Sequence, residues 1–120
     1  MINDVLITPL KIIETKGGDI LHSLKDKDNG FNGFGEAYFS EVQPGAIKGW
    51  KAHQDMTLNI TVPIGKVRFV LFDDRENSSS FGICEEYFLS PENYYLLTVP
   101  AGIWNGFKAI GGDMAIVANC

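Results

Sequence analysis

Short segments in which apolar and polar residues alternate recur along the whole chain, and they constrain its fold more than any other feature. In TLNITVPIG the leucine, isoleucine and valine side chains share one face of a strand, whereas Asn59 and Thr61 share the other. The same period of two residues recurs in EAYFSEV and KVRFVLFDDR. Glycine, proline and asparagine turns separate the segments, and no stretch has the period of a long amphipathic helix. The pattern therefore predicts an all-β antiparallel sandwich or barrel.

The size and composition of the chain predict a single domain. Its 120 residues, 45 % of them apolar, suffice for one hydrophobic core, and no linker or internal repeat divides residues 1–120. No apolar run is long enough for a transmembrane helix. The first segment, MINDVLITPLKIIETKGG, lacks the basic start and apolar centre of a secretory signal. We therefore expect a cytoplasmic protein that has no membrane partner.

The charge of the chain limits the class of its ligands. The net charge is −5 and no basic run is present, which argues against a nucleic-acid partner. A few local cations can nevertheless bind a phosphorylated small molecule against an acidic background. Cys84 and Cys120 show no metal-binding or redox spacing, so we expect them to be free thiols.

One stretch, GAIKGWKAHQDMTLNITVPIG, concentrates the residues that can carry chemistry. Lys51 and His53 lie two residues apart on a predicted strand, so their side chains share a face. If that face points into a barrel, Lys51 can act as a base or hold positive charge beside a phosphate or an enolate. His53 can then act as a base or an orienting group. If the face points to solvent, Lys51 is an ordinary surface lysine, and the sequence leaves both alternatives open.

Four segments are distinctive in combination: GFGEAYFSEVQPGAIKGW, IGKVRFVLFDDRENSSSFG, LSPENYYLLTVPAGIWNGF and AIVANC, which together cover most of residues 34–120. In this combination the chain resembles the cupin family of dTDP-4-dehydrorhamnose 3,5-epimerases and its short sugar-nucleotide-modifying relatives. The resemblance implies a single cupin-type antiparallel β-barrel, or jelly roll. It also implies a nucleotide-sugar with a 4-keto-6-deoxy sugar as the small-molecule partner, no metal or other cofactor, and a homodimer.

The resemblance further implies a mechanism. The family abstracts a proton next to a carbonyl with a histidine base that an aspartate orients, and a tyrosine acts as the acid on the opposite face. Here Lys51 stands at the position of the base and His53 at the second histidine position, while Asn105 stands at a later histidine position. The last strand, MAIVAN, has no tyrosine, so Tyr38 on a neighbouring strand is the candidate acid. The expected catalytic residues are therefore Lys51, His53 and Tyr38.

Further residues are candidates for contacts with the substrate. Polar side chains can bind sugar hydroxyls, cations can bind a diphosphate, and aromatic side chains can wall the sugar or stack on a base. Each of them has an ordinary structural alternative on an exposed face or in the core. The candidates are Lys48, Asn59, Thr61, Arg68, Trp104, Asn105 and Phe107, and Arg75 is a further candidate for a diphosphate contact.

These observations favour one function and leave an alternative. No metal is expected, since only His53 remains of the usual four cupin ligands. The leading hypothesis is a sugar-nucleotide epimerase or isomerase of surface polysaccharide biosynthesis. The alternative is a catalytically degenerate cupin that binds a nucleotide-sugar or glycan precursor without turnover. A homodimer is expected, in which the strand VLITPLKII pairs with the sheet of a neighbouring chain.

Overall fold

The fold consists of eleven β-strands and contains no helix. The computed structural model describes residues 1–120, and no segment forms a helix that is long and apolar enough to cross a membrane. The strands are β1 Leu6–Pro9, β2 Ile12–Ile13, β3 Ile20–Leu21, β4 Tyr38–Val42, β5 Ile47–Ala52, β6 Leu58–Ile64, β7 Lys66–Asp73, β8 Cys84–Leu89, β9 Tyr95–Val99, β10 Ile103–Ile110 and β11 Ala115–Asn119.

Nine of the strands form two antiparallel sheets that pack against each other. The five-stranded sheet has the order β1-β9-β6-β11-β4, and the four-stranded sheet has the order β5-β10-β7-β8. Strands β2 and β3 pair as a small separate ribbon. The core between the sheets is apolar and includes the fully buried Val62, Phe69, Leu71 and Leu97. The all-β antiparallel class that the alternating pattern predicts is confirmed.

The N-terminal segment divides at its proline. Strand β1 ends at Pro9 and pairs with β9 at the end of the five-stranded sheet, whereas β2 leaves that sheet and pairs with β3. A proline cannot donate a ladder hydrogen bond, so a strand tends to end or lie at an edge where one occurs. One edge of β1 is therefore used within the chain, and the other edge stays open.

Strand β6 is buried on both faces, although its sequence alternates. Its apolar face, with Leu58 and Ile60, points between the sheets. Its polar face is covered by the N-terminal third of the chain. There Asn59 Nδ2 donates a hydrogen bond to the carbonyl of Gly30 at 3.0 Å. A Cβ at Gly30 would come within 2.1 Å of Thr98 Oγ1, so only glycine allows this close approach.

A β-bulge in β5 sets the direction of its lysine side chains. Lys51 pairs with Asn105, but the next pair joins Gly49 to the following residue of β10, so Trp50 is an extra residue in the ladder. Trp50 has a φ of 63°, which is unusual for a residue with a side chain. Because of this extra residue, Lys48 and Lys51 face the same side of β5 although they lie three residues apart.

The extra tryptophan packs on the outer face of the four-stranded sheet. Its ring stacks on that of Trp104, with the ring centroids 6.1 Å apart. Gly106 makes room for it, since a Cβ at that position would lie 3.0 Å from Trp50 Cε3. The outer aromatic pair and the glycine beneath it therefore accommodate the bulge.

A fully hydrogen-bonded carboxylate joins the N-terminal segment to the loop after β7. Asp73 is fully buried, and its Oδ1 accepts hydrogen bonds from the backbone N and the Nε of Arg75 at 3.0 and 2.9 Å. Its Oδ2 accepts hydrogen bonds from the hydroxyls of Ser78 and Ser80. These four residues are called the Asp73 cluster below. Arg75 Nη2 also donates to the carbonyl of Asn3 at 2.9 Å, which connects the cluster to the start of the chain.

Candidate active site

A cavity of about 440 Å³ opens between the two sheets. It lies where β4, the last strand of the five-stranded sheet, faces β5, the last strand of the four-stranded sheet. This volume is in the range of small-molecule sites. Its apolar lining comes from the inward faces of both sheets and includes Leu58, Ile60, Phe69, Phe107 and Val117. Phe69 and Phe107 stack on each other with their ring centroids 4.8 Å apart.

Two lysines of β5 line the cavity and bring positive charge to it. Lys48 Nζ donates a hydrogen bond to the carbonyl of Glu41 on β4 at 3.1 Å, so it bridges the facing edges of the two sheets. Lys51 lies at the open side of the cavity, and its ammonium group belongs to none of the ion pairs of the chain. Its backbone carbonyl accepts a hydrogen bond from Asn105 Nδ2 at 3.1 Å, which ties β5 to β10.

His53 follows directly after β5 and also lines the cavity. Its backbone carbonyl accepts a hydrogen bond from the N–H of Gly102 at 2.7 Å, which fixes the chain against the turn between β9 and β10. The structure thus brings Lys51, His53 and Asn105 to one cavity, which is the inward alternative of the two that the sequence leaves open. Their catalytic and binding roles remain predictions.

A tyrosine and an asparagine face the lysines from the other sheet. Tyr38 on β4 pairs with Asn119 on β11, and both side chains line the cavity. Asn119 Nδ2 donates a hydrogen bond to Tyr38 Oη at 3.1 Å. Asn119 is 8 % exposed, and its Oδ1 is buried without a hydrogen-bond partner. Asn119 is not among the residues predicted from the sequence, although a polar residue at the end of the apolar strand AIVAN is a signal that could have identified it.

Curated proteins are similar to the chain over most of its length, whereas no family model matches it. The spore coat polysaccharide biosynthesis protein SpsL of Bacillus subtilis (strain 168) is 30 % identical over 111 residues, which are 92 % of this chain and 74 % of SpsL. The probable low-salt glycan biosynthesis epimerase Agl13 of Haloferax volcanii is 30 % identical over 84 residues, which are 69 % of this chain and 54 % of Agl13.

Several solved structures share the fold. The dTDP sugar isomerase from Desulfovibrio desulfuricans G20 superposes with a TM-score of 0.96 at 42 % identity, over 99 % of this chain and 76 % of that protein. The dTDP-4-dehydrorhamnose 3,5-epimerase from Elizabethkingia anophelis NUHP1 superposes with a TM-score of 0.82 at 25 % identity, over 98 % of this chain and 68 % of that protein.

The chain belongs to the family of dTDP-4-dehydrorhamnose 3,5-epimerases and related sugar-nucleotide isomerases. The resemblance seen in the sequence is thereby confirmed, and so is the jelly-roll fold that it implies. The chain spans about half the length of Agl13 and about three quarters of the length of SpsL.

The prediction that Asn59 and Thr61 line the cavity is wrong. The inward face of β6 is its apolar face, and its polar face is buried on the other side of the sheet, where Asn59 contacts Gly30. Asn59 Oδ1 accepts a hydrogen bond from Thr98 Oγ1 at 2.7 Å, and Asn59 Nδ2 is used by a backbone carbonyl. Thr61 is 1 % exposed. Both residues therefore stabilise the fold.

The other predicted residues outside the cavity are Arg68, Arg75 and Trp104. Arg68 lies on the outer face of β7 and pairs with Glu86 at 2.6 Å, and the hydrogen bond and charge of this pair raise the pKa of Arg68 and lower that of Glu86. Arg75 belongs to the Asp73 cluster, and Trp104 stacks on the outer tryptophan of the bulge. The prediction that these three residues line the ligand cavity is wrong, because alternation turns Arg68 and Trp104 outward from β7 and β10, and Arg75 lies in the loop after β7.

The donor atoms around the cavity do not form a metal site. His53 and Glu36 are the cavity residues of the types that commonly bind transition metals, and no three His, Cys, Asp or Glu side chains of the chain lie close enough to hold a metal ion. Both cysteines are free, with Cys84 exposed and Cys120 half-buried. That the purified protein carries no metal remains a prediction, and elemental analysis finding about one zinc, iron or manganese per chain would refute it.

Proposed function

We propose that this chain is a metal-independent sugar-nucleotide epimerase or isomerase that acts on a nucleotide-linked 4-keto-6-deoxy sugar in surface polysaccharide biosynthesis. The observation that carries the proposal is that ionisable groups from both sheets line one partly apolar cavity. Lys51 and His53 come from the four-stranded side, and Tyr38 comes from the five-stranded side. The names of the similar proteins, a dTDP sugar isomerase and two polysaccharide or glycan biosynthesis proteins, support the same substrate class.

The proposed chemistry needs groups on opposite walls of the cavity. Lys51 or His53 takes the proton from the carbon beside the keto group, and the remaining positive charge near that wall stabilises the enolate. Tyr38 on the facing strand gives a proton from the opposite side. A sugar bound against the apolar lining would displace water from these groups, which strengthens each electrostatic interaction.

The nucleotide part of the substrate requires positive charge and a flat apolar surface. Lys48, which spans the facing edges of the sheets, is the proposed contact of the diphosphate. Asn105 and Phe107 are the proposed contacts of the sugar. These few local cations act within a chain of net charge −5, so attraction to the ligand is local and does not extend to nucleic acid.

Deuterium exchange tests the proposal. The protein is incubated with a dTDP-4-keto-6-deoxy sugar in heavy water, and NMR follows the carbon next to the keto group. Deuterium at that carbon, faster than in the protein-free control, is the expected result. Tight binding of the nucleotide-sugar without exchange would instead support the alternative, a binding protein without turnover. The observation that favours this alternative is Lys51, which stands where the resemblance places the base histidine.

We also propose a cytoplasmic homodimer. Each sheet ends in strands with one open edge, and isoleucines of the N-terminal third are exposed, namely Ile7, Ile12, Ile13 and Ile20. Open edges and exposed apolar side chains favour association with a second copy. Light scattering at micromolar concentration should give the mass of a dimer, and a mass of 13.2 kDa would argue against it.

A further inference from the structure

The contact between Asn119 and Tyr38 is the most informative polar contact of the cavity. Strand β11 lies between β6 and β4, so the backbone of Asn119 is held from both sides, by pairs with Ile60 and with Tyr38. The neighbouring Cys120 N–H also donates to the carbonyl of Asn59 at 3.0 Å. The amide of Asn119 is therefore presented to the cavity by a fixed part of the sheet.

The direction of this hydrogen bond determines what the tyrosine can do. Asn119 Nδ2 donates to Tyr38 Oη, so the phenol is the acceptor and its own hydrogen is not used in the contact. Tyr38 is 39 % exposed, and its side chain lines the cavity. The hydroxyl hydrogen is thus free to point at a ligand. After the proton is given away, the same N–H group would stabilise the phenolate.

The remaining atom of the amide has no partner. Asn119 Oδ1 is buried and unpaired, and buried acceptors in folded proteins normally have a donor. A hydroxyl group of a bound sugar is a donor of the kind that this position lacks. A sugar bound at Oδ1 would also keep the amide in the orientation in which Nδ2 faces Tyr38.

We propose that Asn119 is a positioning residue of this active site: it directs the hydroxyl proton of Tyr38 toward the bound sugar and accepts a hydrogen bond from a sugar hydroxyl at Oδ1. The inference rests on the proposed epimerase or isomerase function, in which Tyr38 protonates the face opposite to the base. Asn119 itself transfers no proton.

The test compares two rates in the same variants, the exchange of deuterium beside the keto group and the formation of epimerised or isomerised product. In Tyr38→Phe the base still exchanges the proton on its own side, but product formation should fall by about 10²-fold. Asn119→Leu should slow product formation by about 10-fold. Asn119→Asp should slow product formation as much as Tyr38→Phe does. A carboxylate has no hydrogen to donate and would accept the hydrogen bond of the phenol, which then no longer points at the sugar.

A structural role would give a different pattern. If Asn119 only supports the fold, exchange and product formation should fall together, and the losses in the double variant of Asn119→Leu and Tyr38→Phe should multiply. If Asn119 acts through Tyr38, the ratio of exchange to product should rise. At saturating substrate the double variant should then be no slower than Tyr38→Phe, because the lost sugar contact at Oδ1 affects affinity. Wild-type product formation in Asn119→Asp would also overturn the inference. Thermal unfolding and binding of dTDP control for the fold.

Binding measurements separate failure of the inference from failure of the proposed function. If the wild-type chain binds dTDP-sugars but neither exchanges nor converts them, the proposed function fails. The contact of Asn119 with the sugar can then still be tested by affinity. Asn119→Leu should weaken binding of dTDP-glucose by about 10-fold and leave binding of dTDP, which has no sugar at that position, unchanged. Equal effects on both ligands, or none on either, would refute it.

Discussion

The Asp73 cluster and the cavity both gather charged and polar side chains, but they differ in how those groups are paired. In the cluster, each oxygen of the buried Asp73 carboxylate accepts at least two hydrogen bonds. In the cavity, Lys51 and His53 belong to no ion pair, and Asn119 Oδ1 is buried without any partner. The polar groups of the cluster are all paired within the chain, whereas these three groups of the cavity lack such partners.

This difference separates a structural role from a binding role. A hydrogen-bonded network in a low-dielectric environment is rigid. Removing one member leaves the others buried without a partner, and their desolvation is then no longer compensated. Groups that lack partners inside a cavity can form hydrogen bonds with a ligand without first breaking any within the protein. The cluster should therefore determine stability, and the cavity should determine activity. Each of the following substitutions should move one property and leave the other unchanged.

The largest effect is expected from Lys51→Met. A thioether can neither accept a proton nor hold positive charge beside an enolate, so exchange should slow by about 10³-fold or more, equivalent to about 4 kcal/mol of activation free energy. Lys51 lies at the exposed side of the cavity, so the free energy of unfolding should barely change. NMR of deuterium incorporation at saturating substrate measures the rate.

Lys66→Met is the matched control for this substitution. Lys66 lies outside the cavity and forms only a long ion pair with the exposed Glu92, at 3.8 Å. Both variants lose one positive charge and gain the same side chain. If Lys66→Met slowed exchange to a similar extent, the loss of one positive charge from the chain would account for the effect, and the position of Lys51 in the cavity would not.

The next largest effect is expected from Asp73→Asn, and it concerns stability. The substitution leaves Arg75 without its buried partner, and loss of one member of such a pair costs about 3 kcal/mol of the free energy of unfolding. Urea denaturation should show this loss, while the exchange rate per folded molecule should remain that of the wild type. Asp4→Asn is the control, since Asp4 contacts the same guanidinium at 3.4 Å but is largely exposed, so its loss should be much smaller.

The same cluster predicts how stability depends on pH. The hydrogen bonds from Arg75, assisted by those from Ser78 and Ser80, hold the pKa of Asp73 well below its usual range. A lowered pKa stabilises the fold above the pKa of the unfolded chain, about 3.9, and this contribution is lost as the pH falls below that value. The difference in stability between wild type and Asp73→Asn should therefore shrink below about pH 4. A difference that stays constant down to pH 2 would show that Asp73 does not titrate in this way.

The sequence predicted the sheets well because alternation is a local property. The buried and half-buried residues of β7 follow from the order of its side chains alone. In β6 the same reasoning failed for Asn59, since the cover over its polar face comes from Gly30, a residue distant in sequence. Which face of an alternating strand is covered depends on the topology, and the order of residues within the strand does not predict it.

The site was predictable only in part, for a related reason. The shared face of Lys51 and His53 follows from their spacing, but its inward direction depends on the pairing of Lys51 with Asn105 of β10. Asn119 becomes a residue of the site only because the strand register places it beside Tyr38. That register is set by pairing between strands that are distant in sequence. A substitution series is therefore the appropriate test of each group in turn.

A smaller effect on activity is expected from His53→Asn. Loss of one acid–base group should slow exchange by about 10²-fold, less than the loss of Lys51, because asparagine can still donate a hydrogen bond. His22→Asn is the control, since it changes the other histidine of the chain, which lies outside the cavity. Exchange at the wild-type rate in His53→Asn would exclude His53 from proton transfer and leave Lys51 as the base.

The smallest effect is expected from Lys48→Met, and it should appear in ligand affinity. Lys48 bridges the facing edges of the sheets, and removing its charge should weaken dTDP binding by about 10-fold, or about 1.4 kcal/mol. Arg68→Met removes a cation from the outer face, where Glu86 already pairs with it, so dTDP affinity should not change. Calorimetry at two salt concentrations measures both, since diffuse attraction between exposed charges weakens as salt increases. An equal loss of affinity in the two variants that disappears at high salt would mean that the chain attracts the nucleotide only through its overall field. A loss confined to Lys48→Met that persists at high salt would place the diphosphate against β5, in the cavity and not on the outer sheet.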